Sequence, residues 1–146
     1  MENLVLNEMN KLEIKPDRWR RARTVFKQIA GNYPATIGKA VSKKERDEDT
    51  LAPGGTSLVY GEIQFDTFAL ALEKIRHKYE GLKEPGGVFV DVGSGTGKPV
   101  FGAMLMHEFD KVVGIEILHG LHDISLELNA VWQEIRDDAQ VSTKTA

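Results

Sequence analysis

The chain has 146 residues, 41% apolar and 28% charged, with a formal net charge of −3 and no cysteine. That length suits one domain around one core. The charge balance excludes a whole-molecule field that would draw the chain to nucleic acid or acidic membrane, and the missing cysteine excludes a disulfide framework and a thiolate metal site. No stretch approaches the roughly 18–20 apolar residues of a membrane span, and Met1-Glu2-Asn3 opens without a basic-then-apolar signal pattern. The expectation is an intracellular, soluble protein.

Residues 1–16 are mixed and end in Lys15-Pro16. Asp17 is the expected N-cap of a helix whose apolar positions are Trp19, Ala22, Val25, Phe26 and Ile29, ended by Gly31-Asn32. Arg18, Arg20, Arg21, Arg23 and Lys27 occupy its other faces. They read either as a basic surface for an acidic partner such as nucleic acid or as the solvated side of a helix whose Trp19 stripe lies on the core; we favour the second. Residues 33–58 show no period, and the charge run Ser42 to Thr50 reads as a mobile, solvated linker closed by a turn at Ala52-Pro53-Gly54-Gly55. A nuclear-import reading of its basic clusters is a secondary alternative.

Tyr60-Gly61-Glu62 precedes a helix expected over 64–80, with Phe65, Phe68, Ala69, Leu72, Ile75 and Tyr79 as its apolar stripe. After a turn at Glu84-Pro85-Gly86-Gly87 comes Val88-Phe89-Val90-Asp91-Val92, which reads as a strand buried on both faces. Gly93-Ser94-Gly95-Thr96-Gly97 follows, then a helix expected over 99–109 with Pro99 in its first turn. Glycines at alternate positions let the backbone turn tightly and let a ligand approach it, and the helix start aims positive dipole and free N–H groups into the loop. A second strand, Val112-Val113-Gly114-Ile115, ends in Glu116, placed about 20 residues beyond the loop to hold ribose hydroxyls. Leu121, Ile124, Leu128, Val131, Trp132 and Ile135 mark a last amphipathic helix, expected over 121–135, and Asp137 to Ala146 reads as a frayed tail. His119 and His122 share a spacing of three; with no third ligand at matching spacing, solvated histidines are the simpler reading.

The strand–loop–helix–strand unit is thus a nucleoside-cofactor site, and its details choose among cofactors. A phosphate loop of the nucleotide hydrolases would need glycine at Val92 and a hydroxyl at Pro99. The dinucleotide fingerprint needs its third glycine three positions after the second, and Gly97 follows Gly95 by two. A carboxylate beside the loop, Asp91, repels a pyrophosphate and suits a cation, which points to S-adenosylmethionine, with its sulfonium and amino group.

Tyr60-Gly61-Glu62, then Phe89 to Gly97, then Gly114-Ile115-Glu116, in that order, resemble the disruptor-of-telomeric-silencing histone-lysine methyltransferases, from about Val59 to Trp132. The resemblance implies an α/β, Rossmann-like class I methyltransferase fold, here expected to be truncated after the second strand and its following helix, and divided as 1–58 (N-terminal helix and charged linker), 59–136 (partial cofactor-binding domain) and 137–146 (disordered tail). It implies a nuclear enzyme acting on a lysine of histone H-three in nucleosomes, with no membrane partner. By residue, it implies that Tyr60, Gly61 and Glu62 fold over the cofactor, that Asp91, Gly93, Ser94, Gly95, Thr96 and Gly97 hold its methionine part, and that Glu116 takes the ribose. Two positions depart from the family: Ile63 replaces a small hydroxyl residue, and Lys98 replaces an uncharged amide. The family's adenine contacts, asparagine motif and most of its lysine channel are expected beyond Ala146, so no catalytic residue is assigned and the isolated chain is expected to be a poor catalyst of marginal stability. Other readings stay open: a methyltransferase for another protein or a small molecule, or a non-catalytic cofactor-binding remnant.

Overall fold

The computed structural model describes residues 1–48 and 59–144, with side chains through residue 140. The elements are α1 (Glu2–Lys11), α2 (Asp17–Ala30), α3 (Ala35–Glu48), α4 (Phe65–Lys78), β1 (Val88–Val92), α5 (Lys98–Met106), β2 (Lys111–Ile115) and α6 (His119–Lys144). β1 and β2 pair in parallel, with Asp91 opposite Gly114 and Val92 opposite Ile115, and α5 is the crossover that joins them.

Two cores hold the layers together. Val5 and Met9, one turn apart on α1, meet Trp19 and Ala22 of α2, Phe65, Ala69 and Leu72 of α4, and Met106 at the end of α5. Trp19 is buried and its indole N–H donates to Asp66 Oδ1 at 3.1 Å, so the ring leaves no polar atom orphaned. The arginine-rich face of α2 is therefore in part structural: Arg23 also bonds Asp66, and Arg18 reaches the buried Glu73. Glu73 in turn binds Arg76 at 2.6 Å, and Arg76 ties α4 to the Met106 and Leu82 carbonyls. The second core packs Ile29 of α2 and Phe101 of α5 against Ile124 and Leu128 of α6.

Several expectations need correction. Residues 35–48 form helix α3 where a solvated linker is expected. Its buried residues are Gly38 and Ser42, so it carries no large apolar stripe that a periodicity search would find. The charges of its second half are helix-compatible, as the i,i+4 pair of Lys43 and Asp47 at 2.5 Å shows. Residues 2–11 are helical as well. Asp17 begins α2 and Pro16 takes the cap position. α5 ends at Met106, so Phe109 is outside it and its ring lies 5.8 Å from that of Phe89. α6 continues past residue 136 to Lys144 where a frayed tail is expected. The turn expected at 52–55 lies outside the described residues.

β1 is not buried on both faces. Phe89 and Asp91 point to the side covered by α4 and α5, where the Phe68 and Phe89 rings meet edge to face at 6.1 Å. Val88, Val90 and Val92 point the other way and are 60%, 51% and 79% exposed. Four apolar residues in five report a strand's affinity for cover, not whether cover is there.

Candidate functional site

The site lies at the carboxyl ends of β1 and β2. Beyond Val92 the chain turns through Gly93 at φ +79°. The N–H groups of Gly93 and Ser94 both donate to the Ile115 carbonyl, at 2.7 and 3.0 Å, which ties the loop to the end of β2. Gly97 takes φ +82° as the N-cap of α5, a left-handed position that favours glycine, and its N–H closes a turn onto Ser94 O at 2.8 Å. Pro99 follows in the first turn, where a missing N–H costs nothing. Gly95 has a steric duty too: at φ +56°, its Cβ would stand 2.4 Å from the Tyr60 ring. Gly114, opposite Asp91, leaves the space into which the Ser94 side chain fits.

The structure brings together the three expected acids but gives them different partners. Glu116 folds back on the backbone: Oε2 accepts the Gly95 N–H at 2.7 Å, and Oε1 accepts the N–H groups of Ile117 and Leu118 at 2.8 Å each. It fastens loop to strand tip, with one lone-pair direction left of about four. Glu62 accepts the Tyr60 hydroxyl and the Thr96 hydroxyl on Oε1, and Lys98 Nζ at 2.7 Å on Oε2. Among the described residues Asp91 has no side-chain hydrogen-bond or ion-pair partner, and it is partly exposed. Its carboxyl is pushed above the ordinary value, first by burial and second by the nearby Glu116 charge.

Tyr60 lies across the loop. Its ring sits between Gly95 and Gly38 of α3, where an added Cβ would come within 2.4 Å on either side. Burial and the bond to Glu62 push its phenol well above the ordinary value, so it stays neutral. Ser94 and Thr96 are buried, whereas Gly61 faces open space. Behind Tyr60 and Glu62, a cavity of about 580 Å³ runs between the end of α2, the start of α3 and Lys98. His119 and His122 are both exposed at the start of α6.

Three contributors escape the sequence reading. α3 covers the loop through Gly38, and its Glu45 accepts the first N–H groups of α6, from His119 at 2.6 Å and Gly120 at 2.8 Å. Tyr33, in the α2–α3 turn, accepts Lys98 Nζ on its carbonyl. The third is the role of Lys98, which the sequence marks as a departure from the family but not as the partner of Glu62. Neither Glu45 nor the Tyr33 carbonyl carries a signal in the sequence that points to these contacts.

The described residues thus form an α/β unit in which a parallel strand–glycine loop–helix–strand carries a carboxylate at each strand tip. The family model described as Histone methylation protein DOT1 matches residues 41–136, about two thirds of the chain. The chain belongs to that histone methylation family. The match begins inside α3, ahead of the resemblance seen from Val59, and takes in the second half of that helix, with Glu45 but not Gly38. No curated protein and no solved structure matches the chain.

Proposed function

We propose that the chain is the S-adenosylmethionine-binding part of a class I, Rossmann-like histone-lysine methyltransferase that acts on nucleosomes in the nucleus. The observation that carries the reading is Asp91: an acid without a partner among the described residues, beside a glycine loop, on a family-matched segment. Such a group attracts a sulfonium or amino group and repels a pyrophosphate. When bound, the cofactor supplies a methyl carbon activated for displacement by a neutral lysine amine.

The chain's own residues bind and orient. Asp91 takes the cationic methionine part, the Gly93–Gly97 loop lets it approach the backbone, and Tyr60 covers it from the α3 side. Glu116 keeps the loop in register and has capacity left for one ribose hydroxyl. Holding the reactants in line contributes far more to such a displacement than acid–base chemistry does.

Ultraviolet crosslinking with methyl-labelled cofactor tests the reading. Label should map to 60–62 or 91–97 and be competed by S-adenosylhomocysteine. Stronger competition by NAD, or no crosslink to the folded chain, would overturn it. Label passed to a small molecule in preference to histone would replace the acceptor.

A further inference from the structure

Lys98 is an odd residue to find beside a site for a cation. Its side chain is only 10% exposed and that of its partner Glu62 is 12% exposed. Its ammonium group donates to two acceptors, Glu62 Oε2 at 2.7 Å and the Tyr33 carbonyl. Glu62 gathers donors from three segments: Tyr60 from its own arm, Thr96 from the glycine loop and Lys98 from the first turn of α5. An ion pair this enclosed holds its geometry and is little screened by salt. It also cancels the charge of one of the three acids around the loop, leaving Asp91 as the acid with no partner among the described residues.

We propose that Lys98 is a positioning and specificity-determining residue. Through Glu62 it fixes the 60–62 arm against the glycine loop, and by neutralising that carboxylate it sets how strongly the site distinguishes a sulfonium ligand from its uncharged thioether product. The inference rests on the cofactor reading above. S-adenosylmethionine carries one positive charge more than S-adenosylhomocysteine, and the two are otherwise close in shape. Removing the Lys98 charge exposes the Glu62 carboxylate and makes the site more negative, which favours the sulfonium. Removing the Glu62 charge leaves the ammonium alone and favours the thioether. The sign of each effect holds at any separation; only its size falls with distance.

The test is calorimetric titration of both ligands into the full chain and into Lys98→Met, Lys98→Arg and Glu62→Gln, at one ionic strength. The ratio of thioether to sulfonium Kd should rise at least about three-fold in Lys98→Met, fall in Glu62→Gln and stay near the parent value in Lys98→Arg. Equal weakening of both ligands in Lys98→Met, with the ratio unmoved, would show that Lys98 merely holds the fold and would overturn the inference. If Lys98→Met does not fold, the near-isosteric Glu62→Gln carries the test, and an unmoved ratio there overturns it as well. A folded parent chain that binds neither ligand brings down the cofactor reading itself, an outcome distinct from an unmoved ratio.

Discussion

Glu116 shows how one carboxylate can serve two purposes. Its three backbone N–H bonds make it a brace for the glycine loop before any ribose is considered. Glu116→Ala should therefore lower stability by about 2 kcal/mol or more, the scale of one or two charge-assisted hydrogen bonds. Urea unfolding should show the loss; an unchanged midpoint would mean that the loop holds without its brace. Asp91 predicts the opposite. Its folded pKa is raised above the ordinary carboxylate value by burial and by Glu116, so the folded state favours the protonated acid. Its contribution is neutral at pH below the unfolded value, where both states are protonated. It becomes unfavourable as pH rises through the unfolded and then the raised folded value. Asp91→Asn should match the parent in acid and be the more stable of the two at neutral pH. Thermal melts across that range check it, and a variant less stable at pH 7 would refute the assignment.

At the scale of elements, the sequence makes the β1–loop–α5 unit legible because three independent signals coincide there: an apolar run, alternating glycines and a first-turn proline. α3 is illegible for a physical reason. It packs through a glycine and a serine, so the absence of side chain is what fits, and no hydrophobicity scale records that. The Glu62–Lys98 pair is hidden differently, since 36 residues separate partners that meet only after α4 and β1 are in place. The fit at Gly38 yields a prediction with a reversal of sign. Gly38→Ala should cost about 1–3 kcal/mol, because the new methyl overlaps the Tyr60 ring. In a Tyr60→Ala background the same change should stabilise by up to about 1 kcal/mol, since alanine is the better helix residue. Denaturant melts of the four variants give the coupling; additive effects would separate α3 from Tyr60.

For the whole molecule, the two cores lie on one side of the sheet, and the other side presents Val88, Val90, Val92 and Ile115 to solvent. Parallel strands ordinarily have both faces covered. A contiguous apolar face of this kind should bind a hydrophobic dye in the native state. Val90→Thr with Val92→Thr should cut that fluorescence while leaving the melting temperature close to that of the parent, because both side chains are exposed already. Undiminished dye binding would locate the apolar surface elsewhere.

The central claim is that the uncommitted acid at the end of β1 makes this family-matched unit a site for a cationic cofactor. Titration calorimetry of the chain and of Asp91→Asn with S-adenosylmethionine and with NAD tests it most directly. The parent should bind S-adenosylmethionine more tightly than NAD, and Asp91→Asn should lose at least about ten-fold of that affinity, the worth of one charge-assisted contact. Tighter binding of NAD, or an Asp91→Asn variant that binds S-adenosylmethionine as well as the parent does, would contradict it.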